Sequence, residues 1–96
     1  MADSKEITRF FTAMGDETRL QIVTLLQGKP LNVGEIAALF AISRPAISHH
    51  LRVLKDANVV TSEKTGQEVY YCINADYIVR MLRTLANKLE QRSESE

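Results

Sequence analysis

The sequence is short of most residues on which cross-linked, membrane or catalytic proteins are built, and each shortage removes a class. One cysteine, Cys72, stands among 96 residues, so the chain can form neither an intramolecular disulfide nor a thiolate metal cluster of its own, in agreement with a reducing compartment. Polar residues interrupt every apolar stretch within a turn or two, too soon for a bilayer crossing. Residues Met1 to Glu6 lack the basic-then-apolar layout of a secretory signal. A soluble, cytoplasmic protein with no membrane partner is expected. The four glycines never gather into a phosphate-cradling loop, the two histidines are adjacent, and no nucleophile has a neighbourhood that would activate it. This inventory speaks against an enzyme and implies no cofactor. The 12 Lys and Arg cancel the 12 Asp and Glu, which excludes gripping nucleic acid by bulk positive field alone.

What is present fits one domain. With 45% apolar residues the chain closes one modest core and has no room for a second lobe. The domain is expected over residues 1–92, followed by a disordered polar tail, 93–96. Asp3 with Glu6 three residues on is a capping-box start, and Ile7, Phe10, Phe11 and Met14 then share one helical face. Gly15 ends that helix and Asp16 caps a second, rich in buried positions from Leu20 to Leu26, which stops at Gly28. Pro30 makes a short extended connector. Asn32 with Glu35 is a second capping box, and Leu31 with Ile36 has the spacing of a hydrophobic staple, so a third helix begins here. Ser43 caps a fourth, with Pro45 tolerated in its first turn. Only Phe40 to Ile42 separate the two, which makes a helix-turn-helix.

The fourth helix is expected to run to about Ala57, with Asn58 as a left-handed cap. Val59, Val60 and Thr61, a turn at Thr65-Gly66-Gln67, and the alternation of Val69, Tyr71 and Ile73 then read as a hairpin, the wing. Tyr70 and Tyr71 point to opposite faces and so form no stacking platform for single strands. A last helix from about Asp76 carries a stripe of Ile78, Met81, Leu82, Leu85 and Leu89. The predicted fold is mainly α, in the α+β sense: a winged helix-turn-helix of five helices plus a β-hairpin wing.

The fourth helix is two-faced. Ile47, Leu51 and Leu54 cluster on one side, and Pro45, Ser48, His49, Arg52 and Asp56 fall opposite. From Ser43 to Lys55 there are three cations, two histidines and no carboxylate. Short hydroxyls, a guanidinium and an imidazole near a helix N-terminus suit the major groove of DNA. The candidate DNA-binding residues are therefore Ser43, Arg44, Pro45, Ser48, His49 and Arg52. The cap at Asn32 adds a phosphate contact, and Lys64 and Gln67 flank the wing turn. Adjacent histidines diverge by about 100° on a helix and make a poor metal pair; His50 is expected to border the core through a hydrogen bond. Cys72 reads as a small packing residue.

Two stretches, Gly15-Asp16-Glu17-Thr18-Arg19-Leu20-Gln21-Ile22 and Ser43 to Ala57 with its Ser48-His49-His50-Leu51 centre, resemble the signatures of the ArsR/SmtB family of repressors, and Lys64 to Tyr71 is similar to its wing. The resemblance spans roughly residues 5 to 90 and implies a dimeric repressor released from its operator by an effector. The family's sensors do not carry over. Asn32 and Gly34 stand where metal sensors have a Cys-x-Cys pair, and neither Asp76-Tyr77-Ile78 nor Asn87 to Gln91 contains a histidine. Redox-sensing members pair cysteines, and Cys72 is alone. The chain is most similar to the metal-independent, SdpR-like members, and its effector is unknown.

A homodimer is also expected from surplus apolar surface on the first and last helices: Ile7, Phe10 and Phe11 on one, Ile78, Met81, Leu82, Leu85 and Leu89 on the other. Its two-fold symmetry would require an inverted-repeat operator of double-stranded DNA. The alternative function is a winged helix that binds protein partners without touching DNA.

Overall fold

The computed structural model describes residues 3–95, with side chains as far as Gln91. Its elements are α1 (Ser4–Met14), α2 (Glu17–Leu26), β1 (Leu31–Asn32), α3 (Val33–Phe40), α4 (Arg44–Asp56), β2 (Val60–Thr65), β3 (Glu68–Ile73) and α5 (Ala75–Ser95). The first four helices start where capping chemistry places them. Asp3, Asp16, Asn32 and Ser43 accept hydrogen bonds from the backbone N–H groups of Glu6, Arg19, Glu35 and Ala46, each satisfying a first-turn donor that has no partner within its helix. At α3 the box closes in both directions, since the Asn32 N–H donates to Glu35 Oε1 at 2.9 Å. At α1 it stays half-made. The Glu6 carboxylate turns away from the cap and accepts a 2.7 Å hydrogen bond from the Tyr77 hydroxyl of α5.

The sheet has three strands in the order β1-β3-β2, all antiparallel. The wing hairpin lies in the expected register, with Thr65 opposite Glu68. Of its two turn residues only Gly66 has positive φ, 64°, the requirement of a type II′ turn matched to strand twist. The connector after Pro30, read from sequence as merely extended, is a short strand: Leu31 and Asn32 pair with Tyr71 and Tyr70. Two residues carry no periodicity, so this pairing has no sequence signal of its own.

Phe10, Ile22, Ile36, Ile47, Leu51 and Leu54 are fully buried in one core. Two residues expected at a dimer surface belong there too: Phe10 and Met81 are each only 1% exposed within the protomer. The cause is the face that α5 turns inward. Tyr77 and Met81, one turn apart, seat α5 against α1, with the Tyr77 ring edge-on to Phe10 at 6.4 Å. Ile7 and Ile78 are half-buried against the same core. The helix also runs farther than the expected start of a tail at residue 93, its backbone staying helical through Ser95; Glu96 lies outside the described residues.

The protomer is elongated. A 96-residue domain of ordinary compactness has a radius of gyration of about 12–13 Å, whereas this chain has 15.2 Å and a long axis of 53 Å. The 21-residue α5, about 31 Å long, accounts for the excess.

Burial pushes the Tyr77 hydroxyl above the ordinary tyrosine pKa of 10.0, and its bond to Glu6 adds to the shift. With the folded-state value raised, the associated stability is complete below the unfolded pKa and is lost as pH rises through the folded one. Melting temperature should therefore fall more steeply above pH 10 in the wild type than in Tyr77→Phe. Parallel melting curves would show that the hydroxyl does not contribute through this pair.

Candidate nucleic-acid interface

α3 and α4 form the helix-turn-helix, and their geometry is set by a tight turn. Phe40 ends α3, and Ala41 adopts the left-handed conformation at φ 53°. A single αL residue reverses the chain while leaving the backbone free to start α4 at Ser43. Ile47, Leu51 and Leu54 of α4 are each 0% exposed, so the opposite face must point outward. Pro45, Ser48, His49 and Arg52 are exposed there together, while Ser43 and Arg44 are exposed at the N-terminal end of the helix, Arg44 in line with the buried stripe and so turned toward α3. Asp56 shares this face at the far end of the helix, and the first turn of α4 has no acidic residue.

Two of the candidate side chains are already engaged within the fold. Asn32 is half-buried: its Oδ1 caps α3, and its Nδ2 donates to Glu68 Oε1 at 3.4 Å. It therefore links the helix-turn-helix to the wing. Arg44 lies over Gly34 in the first turn of α3, where a β-carbon on Gly34 would be 3.1 Å from the Arg44 Cζ. Lys64 and Gln67 are exposed at the end of the wing, next to Glu63 and Glu68, so the wing tip is of mixed charge and not a basic stripe.

Arg19 was given no role by the sequence, and it locks the interface to the rest of the domain. Its Nε donates to the Ala13 carbonyl at 2.7 Å and its Nη2 to that of Thr12 at 3.4 Å, closing the end of α1. Its Nη1 lies 3.4 Å from Nδ1 of His50 on α4. Asp16 Oδ2 is 3.9 Å from the same Nδ1. The backbone N–H of Arg19, followed by its charge, holds the Asp16 carboxyl below its ordinary pKa. His50 is thus half-buried in a polar contact, as expected, while His49 faces outward. No sequence periodicity could have found Arg19, because its partners lie six to 31 positions away.

Among the described residues no group of three or more His, Cys, Asp or Glu is placed to hold a metal ion. Cys72 is half-buried in β3 opposite Thr61.

A short first helix, a left-handed turn, a second helix with one buried and one polar face, and a three-stranded sheet ending in a hairpin define a winged helix-turn-helix. The profile of the bacterial regulatory protein, arsR family, matches residues 16–62. The chain is similar to the transcriptional repressor SdpR of Bacillus subtilis (strain 168), with 40% identity over 77 residues, 80% of this chain and 86% of that one. It is similar to a transcriptional repressor SmtB homolog of Synechocystis sp., with 30% identity over 88 residues, 92% of this chain and 67% of that one. Its fold matches an ArsR-like transcriptional regulator from Rhodococcus sp. RHA1 with a TM-score of 0.87 at 30% identity, covering 94% of this chain and 85% of that one. The chain belongs to the ArsR family of bacterial regulatory proteins, a family of transcriptional regulators and not of enzymes.

The turn between the two helices yields a stability test. A β-carbon in the left-handed region costs about 1–2 kcal/mol, and glycine's extra unfolded-state entropy returns about 0.5–1 kcal/mol of that. Ala41→Gly should raise unfolding free energy by about 0.5–1 kcal/mol in urea titrations, and Ala41→Val should lower it. The opposite order would mean that residue 41 is not held at positive φ.

Proposed function

We propose that this chain is a homodimeric transcriptional repressor that binds double-stranded DNA by sequence, without the metal sites used by other members of its family. The observation that carries the reading is the outward face of α4. Fixed by a fully buried stripe, it presents Ser48, His49 and Arg52 with no carboxylate between Ser43 and Lys55. A helix of this kind enters the major groove about 12 Å wide, where Arg pairs with guanine and shorter side chains with neighbouring edges. The wing lies alongside, with Lys64 and Gln67 at the backbone or minor groove. Repression follows the similar proteins named as repressors.

Dimerisation rests on the projecting helix. Val79, Leu82 and Leu89 are 48%, 49% and 59% exposed, and Phe11 on α1 is 36% exposed. Val79 and Leu82 border a shallow groove with Arg83, Ala86, Asn87 and Glu90. Two copies burying Phe11, Val79, Leu82, Leu85 and Leu89, each already about half-covered, gain roughly 7–15 kcal/mol. Association costs about 4–15 kcal/mol, so the pair needs the whole stripe. A two-fold dimer sets its reading helices about 34–36 Å apart, one turn of duplex, and demands an inverted repeat.

Selection of duplexes from a random pool, followed by salt titration, tests the reading: affinity should fall steeply with salt and the selected site should be palindromic. Binding to no duplex would point instead to a module for protein partners. Arg52→Ala should weaken binding to the selected site by about 1–3 kcal/mol and leave the melting temperature unchanged, since the side chain is exposed. Leu82→Glu combined with Leu89→Glu should sediment as a monomer and lose the operator, although every residue on the α4 face is intact. A dimeric double variant would place the interface elsewhere.

A further inference from the structure

Arg44 and Gly34 meet in a way that neither residue's local role explains. A β-carbon on Gly34 would fall inside contact distance of Arg44 Nη2 and 3.5 Å from Asn32 Oδ1. The backbone does not call for glycine here: Gly34 lies inside α3 and is not among the residues with positive φ. In such a position alanine makes the better helix. What glycine contributes is room, and the guanidinium of Arg44 occupies it. Charge does not hold Arg44 in this seat. Among the described residues no carboxylate makes an ion pair with it, and the N-terminal end of a helix disfavours a cation.

Resting on the DNA-binding reading, we infer that Gly34 is a positioning residue that parks Arg44 on the first helix of the helix-turn-helix, where its guanidinium meets a DNA phosphate and not a base edge. In this motif the second helix enters the groove while the first crosses the sugar-phosphate backbone. A donor lying on the first helix is therefore on the phosphate side, even though it belongs to the second. The flat fork of a guanidinium matches two phosphate oxygens, and without a carboxylate partner Arg44 brings its full charge to them. The division of labour is that Arg52 discriminates sequence while Arg44, seated on Gly34, sets register and affinity.

The test uses the full chain and two probes: a duplex selected by the wild type from a random pool, and an unrelated duplex of the same length. Gly34→Ala should melt at or above the wild-type temperature. It should bind both duplexes roughly tenfold more weakly at moderate salt, as expected for one lost charge-assisted contact, with a log–log salt slope shallower by about one. Arg44→Ala should do the same, and Gly34→Ala should add nothing in the Arg44→Ala background. Three results would overturn the inference: wild-type binding by Gly34→Ala, full additivity of the two changes, or an Arg44→Ala protein that prefers different bases at an unchanged salt slope. In the free protein the Arg44 Nε–Hε resonance should move on Gly34→Ala. If it moves while the wild type selects no duplex from the pool, the seat is real and the DNA-binding reading, with the phosphate role that rests on it, is what has failed.

Discussion

A helix packed on a globular core has one free rotation about its own axis, and burying a narrow stripe removes it. In α4 that stripe is Ile47, Leu51 and Leu54, all fully withdrawn from solvent, each contributing about 1.5–3 kcal/mol to the folded state. Everything that makes this domain an interface depends on that constraint. Turning α4 by one residue, about 100°, would bury polar groups and expose leucines, so the outward set of side chains is specified by the inward one. The three buried residues and the exposed Ser48, His49 and Arg52 are two readings of one rotational setting.

The surrounding elements secure the remaining freedoms of α4. The left-handed Ala41 fixes its angle to α3, and the His50 contact to Arg19 ties its middle to the junction of α1 and α2. At its far end Ala57 and Val59 are buried, and Asn58 between them reverses the chain at φ 64°. Asn is tolerated in this region better than other residues with a β-carbon, which is why the helix gives way to a strand without a glycine. On the sheet side, Asn32 both caps α3 and reaches Glu68 of β3. The two helices and the wing are thus joined by side chains whose first duty is local.

Much of this was legible in the sequence because the signals are short-ranged. Caps at Asp3, Asp16, Asn32 and Ser43, the Asn58 reversal, the hairpin turn and the two faces of α4 each rest on residues within four positions of one another. Other features were not. β1 is too short to alternate. The apolar stripe of α5 is wider than a single contact surface, so its spacing alone could not divide Met81, which faces the protomer's core, from Leu82 and Leu89, which face away. Tyr77 falls one turn before Met81, but a stripe defined by aliphatic residues leaves it out, and the partner of its hydroxyl, Glu6, lies 71 positions earlier. Arg19 and Gly34 act on residues from other helices, and a single sequence read by itself contains no record of such pairs. The polar composition after Gln91 suggested an end to regular structure, yet alternating Ser and Glu are compatible with a solvated helix.

The wing and the long helix meet at a joint with no slack. One residue, Asn74, separates β3 from α5. Its N–H donates to the Val59 carbonyl, its side-chain amide to that of Asn58, and its own carbonyl accepts from Ile78 in the first turn of α5. A linker of several free peptides would let the helix tilt independently of the hairpin; here any tilt must break these bonds or carry the base of the hairpin with it. In mechanical terms the domain is a bell crank, with α5 as the long arm, the hairpin as the short one and Asn74 at the pivot.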